Sequence, residues 1–536
     1  MRKHIALITL LLAGLGVQPT TAQVTYEKLL KNAQDAGQWL TYSGNYSGWR
    51  YSPLKQITTA NVDRLAVQWV LQTGIPGKFE TTPLVIGGVM YVTAPNDHAY
   101  ALDARTGRTI WSYTYPLPDG VRPCCGRVNR GFAALGDKLF MGTLDDHLVA
   151  LDAKTGNVVW DVASEDYLRG HSFTMAPLVV KDKVIVGVSG GEFGVRGFIE
   201  AYYAETGKRA WRFYTIPDPK EPGSETWKGN SWTTGGAPAW VTGTYDPDLN
   251  LIYWGIGNPG PDAYGEERLG DNLYSDSVVA LDPDTGQIKW HYQFTPHDVH
   301  DWDSTQVPVL VDGEWEGRPR KLLVLANRNG FFYVLDRANG KFLLGKPFAR
   351  VTWAKQEIGP DGRPSVVPGS EPSAEGTYVC PGISGGTNWM SPSYSPDTGL
   401  FYVSAREQCD KFYEAPQPFI EGQTFWGSGG QRSPGEKDWG AVRAIDPRTG
   451  AIKWEFKHYS APWAGTLATA GGLVFSGDME GNFIALDAKT GKALWHLQTG
   501  APIIAAPMSF SLDGKQYVAI ASGASLFTFA LPERVR

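Results

Sequence analysis

Ala485-Leu486-Asp487-Ala488-Lys489-Thr490-Gly491-Lys492-Ala493-Leu494-Trp495 is the clearest copy of a phrase that recurs along this 536-residue chain. The pattern Ala-Leu-Asp-x-x-Thr-Gly-x-x-x-Trp runs also from Ala101 to Trp111, Ala150 to Trp160 and Ala280 to Trp290, and, with Ile for Leu, from Ala444 to Trp454. Degenerate copies run from Ala201 to Trp211 and from Val334 to Leu344. An apolar pair ends one strand, Asp-x-x-Thr-Gly turns the chain with Gly free to take positive φ, and Trp begins the next strand on its buried face. Where the copies are regular, Trp positions are about 40 to 55 residues apart, the size of a four-stranded propeller blade. Two intervals are longer. The one between Trp211 and Trp290 holds an insertion, and the one between Leu344 and Trp454 is read as hiding a further unit around Tyr394 to Val403. Seven visible copies and one hidden predict an all-β fold, an eight-bladed β-propeller.

Composition agrees with short strands and aromatic packing between sheets: 63 Gly, 20 Trp, 24 Tyr and 22 Phe against 19% charged residues. Arg2-Lys3, the apolar run Ile5 to Leu15 and the small residues Thr20-Thr21-Ala22 read as a secretory signal peptide over 1–22, leaving 23–536 as one propeller domain. The apolar run is too short to span a membrane, so a periplasmic protein without a membrane span is expected. Removing 1–22 takes away Arg2 and Lys3 and moves the net charge from −6 to −8, which argues against nucleic acid as a partner. Export permits disulfides, and four cysteines allow three pairings. Cys380 and Cys409 flank a strand pair and suit an ordinary staple; adjacent Cys124 and Cys125 then bridge each other or stay as buried thiols.

Several stretches break the repeat with polar groups. In Ser189-Gly190-Gly191-Glu192-Phe193-Gly194, glycines on both sides of one carboxylate allow close backbone approach. Asn258 ends the apolar run Leu251 to Ile256 with its amide oxygen free to coordinate. His297-Asp298-Val299-His300-Asp301-Trp302-Asp303 packs three carboxylates and two imidazoles into seven residues. These are hard oxygen donors, and they favour Ca²⁺ or another hard cation. A zinc site at His297 and His300 lacks a third ligand at the usual spacing. Arg328, in Asn327-Arg328-Asn329-Gly330, offers a planar fork to an anionic or carbonyl-rich ligand, or sits in an exposed hairpin turn.

These motifs, in this order, resemble the alcohol dehydrogenases of the methanol/ethanol dehydrogenase family that depend on pyrroloquinoline quinone (PQQ). The marks are Cys124-Cys125 with Val128-Asn129-Arg130-Gly131, the run Ser189 to Gly197, Gly257-Asn258-Pro259, and Pro296 to Asp303. The repeat is then that family's tryptophan-docking motif, and the implied activity is oxidation of primary alcohols to aldehydes. The resemblance implies that Glu192, Asn258 and Asp301 hold the metal, and that Asp301 is also the catalytic base. PQQ would lie between a Cys124–Cys125 disulfide and Trp240, with Glu80, Arg130, Thr174, Ser189, Arg328, Asn388 and Trp463 around its rim. A flat tricarboxylate needs flat walls and bidentate cations, so the residue types suit these roles.

Two departures stand out. Asp303 places a second carboxylate two residues beyond Asp301, which in the family marks the lanthanide-dependent branch; three carboxylates at Glu192, Asp301 and Asp303 match a lanthanide(III) better than Ca²⁺. Gly235-Gly236-Ala237-Pro238-Ala239-Trp240 lacks the polar Thr-Asn pair of the methanol-type enzymes, which weakens methanol as the substrate. No Cys-x-x-Cys-His occurs, so a separate soluble cytochrome c is the expected electron acceptor. Larger alcohols, polyols or sugars are the alternative substrates, and a non-enzymatic propeller scaffold the alternative class. A homodimer is compatible with the sequence. The insertion Pro217 to Thr234 and the loop Gln356 to Tyr378 are the candidate lids over Asp301.

Overall fold

The computed structural model describes residues 23–34, 37–433 and 435–533, so the expected signal peptide at 1–22 lies outside the described residues. The Asp-x-x-Thr-Gly phrase does what its chemistry requires. In the first copy it joins the strands His98–Asp103 and Thr109–Thr114, and Asp103 Oδ1 accepts from the backbone N–H groups of Arg105 and Thr106. With Leu84–Ile86 and Val89–Ala94 in front, these strands make a four-stranded antiparallel meander.

Eight sheets of the described residues contain such a four-strand unit. Six others repeat the same meander along the chain, within 133–163, 178–214, 244–293, 309–347, 393–458 and 467–498. The last of these adds Tyr51–Ser52, parallel to Leu467–Thr469. The remaining sheet joins the two ends of the chain: Ala66–Gln72 pairs with Ser525–Ala530, beside Lys515–Ser522 and Met508–Leu512. The fold is therefore all-β and propeller-like, as the repeat predicts.

One detail of the repeat count is corrected. Tyr394 to Val403 is not a separate unit: Ser393–Ser395 and Leu400–Glu407 are the first two strands of the sheet whose last two carry the Ala444 copy. The sheet that lacks a copy is the terminal one, and its four strands come from opposite ends of the sequence. No local pattern could reveal it. Between Leu400–Glu407 and Trp439–Ile445 the chain leaves to build most of a small three-stranded sheet, Thr377–Val379, Asp410–Glu414 and Ser428–Arg432, stapled by Cys380–Cys409.

The Trp of each copy is also more than a buried strand residue. It reaches out of its own sheet to the next one. Trp111 Nε1 donates to Ala153 O at 3.0 Å, Trp160 to Ala204 O at 3.1 Å, Trp211 to Pro283 O at 2.9 Å, Trp290 to Arg337 O at 3.2 Å and Trp454 to Ala488 O at 3.0 Å. Trp69, in the terminal sheet, makes the same bond to Ala104 O at 3.2 Å. The indole lies on the motif glycine of the sheet it reaches: a Cβ on Gly107, Gly156, Gly207, Gly286, Gly340 or Gly491 would meet it at 2.5–2.9 Å. That glycine is needed twice, for its positive φ and for its missing side chain.

Each dock combines an aromatic burial with a hydrogen bond, and truncating such a residue typically costs about 3–5 kcal/mol. Trp211→Ala and Gly286→Ala should therefore both lower the thermal midpoint, while Tyr459→Ala, at a site 72% exposed, should leave it unchanged. Differential scanning calorimetry checks this, and equal midpoints for all three would remove docking from the account.

Candidate active site

An antiparallel four-strand meander puts two of its loops at the same end: the one leading into the first strand and the one joining the second to the third. The Asp-x-x-Thr-Gly turn lies at the opposite end. Polar residues gather at the first end. Glu80, Arg130, Thr174, Trp240, Asn388 and Trp463 each stand three to five residues before the first strand of a different sheet. Ser189, Glu192, Asn258 and Arg328 lie between second and third strands, and Asp301 and Asp303 lead into Val309–Trp315.

These loops enclose a cavity of about 600 Å³. Its wall includes the expected Glu80, Arg130, Thr174 and Ser189, the disulfide-bonded pair Cys124–Cys125, and Trp240. Arg328, Asn388 and Trp463 complete the expected rim, and Glu192, Asp301 and Asp303 face the same space. Asn258 is the exception: it is buried and does not line the cavity. Its Nδ2 donates to Asp262 Oδ1 at 3.0 Å and Pro259 O at 3.3 Å, and its Oδ1 accepts no hydrogen bond among the described residues.

Two arginines organise the charges. Arg130 donates to Thr174 Oγ1 at 3.0 Å, pairs with Glu80 at 2.7 Å, and lies 5.0 Å from the Trp240 ring and 5.2 Å from that of Trp389. Its Nε is buried without a partner. Arg328 donates through Nη2 to Asp301 Oδ2 at 3.0 Å and through Nη1 to Asp303 Oδ2. Asp303 Oδ1 accepts from Asn258 N at 3.1 Å, an approach open only because residue 257 is glycine: a Cβ there would lie 2.0 Å from that oxygen. Asp298 holds the loop, accepting from His300 N and Trp302 N. Asp301 itself sits at φ +58°, Cys125 at +67° and Ala237 at +57°, left-handed backbone that non-glycine residues adopt rarely.

Burial pushes the Glu192 carboxyl up to about 7, with repulsion from Asp303 adding to it. Burial likewise raises Asp303, and it raises Asp301 and Asp262 well above the usual carboxylate range, with neighbouring carboxylates adding to both. Four acids, Asp262 and Asp303 buried and Glu192 and Asp301 half-buried, thus crowd the site, with Arg328 the one cation ion-paired to them among the described residues, and a multivalent cation fits the surplus. The acids are not drawn into one knot. Among the described residues the single set of three donors lying mutually within 4.8 Å is Glu192 with both sulfurs of the Cys124–Cys125 disulfide, and oxidised sulfurs are not metal ligands.

Other expectations are settled by position. His297 turns away, its Nδ1 2.9 Å from Gly270 O, and His300 stacks on Trp302 at 4.3 Å with Nε2 on Ser370 O, so no zinc pair forms. Neither candidate lid lines a cavity beside Asp301; Phe412, Tyr413 and Trp426, of the small sheet and its loop, do. Sequence reasoning also missed Lys78, whose Nζ donates to Cys125 O at 2.7 Å, and Trp389, stacked on Trp463 at 6.3 Å. Trp389 follows Asn388 directly, but nothing local marks Lys78.

Residues 39–351 match the PQQ family described as glucose/ethanol/alcohol dehydrogenase, β-propeller domain, and residues 438–530 match that described as outer membrane protein assembly factor BamB. The chain is 41% identical to the quinoprotein alcohol dehydrogenase PedH of Pseudomonas putida, over 97% of this chain and 91% of that one. It is 39% identical to the lanthanide-dependent methanol dehydrogenase of Methylacidiphilum fumariolicum, over 93% and 86%. A solved europium-containing methanol dehydrogenase superposes with TM-score 0.89 at 37% identity, covering 94% of this chain and all (100%) of the other.

A cation entering this site must displace the protons that burial leaves on the carboxyls. Its affinity should fall below about pH 7, the value to which Glu192 is raised, by roughly tenfold per pH unit for each proton displaced. Because the folded pKa lies above the ordinary 4.5, the unfolded chain ionises first, so the metal-free protein loses stability as pH rises from 4.5 through about 7 and the cation restores it. Calorimetric La³⁺ titrations in two buffers of different ionisation enthalpy measure the protons released. Zero release would contradict the assignment.

Proposed function

The chain belongs to the quinoprotein (PQQ) dehydrogenase family, and on that premise we propose that it oxidises primary alcohols to aldehydes with PQQ and one bound metal ion. The observation that carries the reading is a single cavity of about 600 Å³ bounded by a vicinal disulfide, three indoles, two arginines and four carboxylates. Cys124–Cys125 and Trp240 are the flat walls for a planar cofactor. Arg130 offers its positive charge to a cofactor carboxylate, while Thr174, Ser189 and Asn388 offer neutral polar groups and Glu80 keeps Arg130 in place. When bound, PQQ supplies the ortho-quinone that accepts the alcohol's two electrons, and the metal beside it supplies a Lewis acid.

Asp301 takes the hydroxyl proton. Its Oδ2 is held by Arg328, and its Oδ1 makes no hydrogen bond among the described residues, so Oδ1 is the receiving atom. Glu192, Asn258 Oδ1 and Asp301 hold the metal, and Asp303 supplies the extra negative charge suited to a lanthanide(III); a relative carries lanthanide dependence in its name. One observation favours Ca²⁺ instead: both Asp303 oxygens are already engaged, by Asn258 N and Arg328. Two disulfides suit an oxidising compartment, which supports a periplasmic enzyme, and a separate cytochrome c takes the electrons.

Apoprotein reconstituted with PQQ should oxidise ethanol, in a dye-linked assay, better with La³⁺ than with Ca²⁺, and Asp303→Ala should reverse that order. Unchanged La³⁺ activity in Asp303→Ala would make Asp303 a bystander. Asp301→Asn should keep PQQ bound, by absorbance, yet lower kcat about 10²–10⁴-fold. Silence towards every alcohol with both metals would overturn the reading.

A further inference from the structure

A second cavity, about 480 Å³, shares the Cys124–Cys125 disulfide, Glu192, Asp301 and Ile383 with the first. Asp301 faces both spaces. The outer wall of the second cavity is aromatic, from Phe412, Tyr413 and Trp426, and Asp262 stands at its side. Among the described residues its lining holds no Lys or Arg and one imidazole, His300, which burial holds down at about 4 and hence neutral.

Among the three carboxylates here, two have stated work: Glu192 and Asp301 belong to the proposed metal site, and Asp301 also pairs with Arg328. Asp262 is left over. Its Oδ1 accepts from Asn258 Nδ2 at 3.0 Å, while its Oδ2 accepts no hydrogen bond among the described residues, although the residue is only 6% exposed. Asp262 lines the cavity, so this unpartnered oxygen is open to a cation or donor that enters it. Aromatic faces attract organic cations, most strongly where water is excluded. A chamber that joins both features, with no Lys or Arg in its lining among the described residues, suits a positive group, and such a group entering would draw the Asp262 carboxyl, raised by burial and its acid neighbours in the free protein, into its ionised form. It is also far larger than methanol needs.

Resting on the alcohol oxidation proposed above, we propose that this chamber selects alcohols carrying a positively charged nitrogen, amino or quaternary ammonium alcohols, with the cation between Asp262 and the aromatic wall and the hydroxyl at Asp301. The nitrogen is unchanged in the reaction. The carbinol carbon becomes an aldehyde, its hydride passes to the bound quinone, and the hydroxyl proton passes to Asp301.

The test compares choline with 3,3-dimethyl-1-butanol, its uncharged isostere, on the PQQ- and metal-loaded enzyme, with 1-butanol as activity control. The wild type should favour choline in kcat/KM at least about tenfold at low salt, and less as salt rises. Asp262→Asn retains an acceptor for Asn258 Nδ2 and should lower the choline-to-isostere ratio at least about tenfold, whatever the absolute rates. Trp426→Ala, at a side chain 47% exposed, should lower the same ratio by less and guards against a folding failure of the first variant. Preference for the isostere in the wild type would overturn the proposal. So would an equal fall for both alcohols in Asp262→Asn, which would leave Asp262 serving Asn258 and the metal alone. Turnover of 1-butanol keeps the two readings apart. If no alcohol is oxidised, the proposed function fails, and calorimetric titration of choline then decides the chamber: binding weakened by Asp262→Asn upholds it, and no binding overturns it.

Discussion

The indole laid on a neighbouring sheet's glycine is the contact on which the rest of the molecule depends. A four-stranded meander alone buries too little to stand by itself, and each dock joins one such sheet to the next through aromatic packing and a hydrogen bond to a backbone carbonyl. Trp69 extends the series to the terminal sheet, where Ala66–Gln72 pairs with Ser525–Ala530 and the chain's two ends hold each other. Trp495 meets the same sheet edge-on at Phe529, 5.7 Å between ring centroids. With sheets locked in order, the meander decides where every loop goes. Structural turns gather at one end, and the other is free for chemistry.

That free end is where the protein accepts unfavourable physics. Crowded acids repel one another there, and non-glycine residues take left-handed backbone at Cys125, Ala237 and Asp301. Arg328 offsets part of the repulsion by gripping Asp301 and Asp303 at once, and Gly257 makes room for Asp303 against the backbone of Asn258. Such arrangements persist only when the surrounding frame over-determines them. The docked sheets provide that frame.

The repeat was legible because each copy is contiguous and chemically specific: a carboxylate that caps a turn, a glycine, then a tryptophan. What Trp does was only half legible, since the partner glycine sits in another copy tens of residues away. The terminal sheet was invisible for the same reason, its strands being separated by most of the chain, and the unit placed at Tyr394 to Val403 stood in for it wrongly. The residues proposed for the site are those that break the rhythm, as in the glycines around Glu192 or the acids from Asp298 to Asp303. Asp262 and Trp426 were missed because each is ordinary in its own loop. They acquire meaning only when the small sheet stapled by Cys380–Cys409 brings an aromatic wall beside them. The candidate lids failed on the same point: length marks a loop as mobile or functional, and says nothing of which cavity it will cover.

The most direct test of the central claim is a crystal structure of the protein grown with PQQ and La³⁺, using the metal's anomalous signal. A planar group is expected between the Cys124–Cys125 disulfide and Trp240, with its carboxylates towards Arg130. A single strong peak is also expected among Glu192, Asn258 and Asp301, with Asp303 beside it. An empty cavity under saturating PQQ, or a metal peak away from these residues, would contradict the claim.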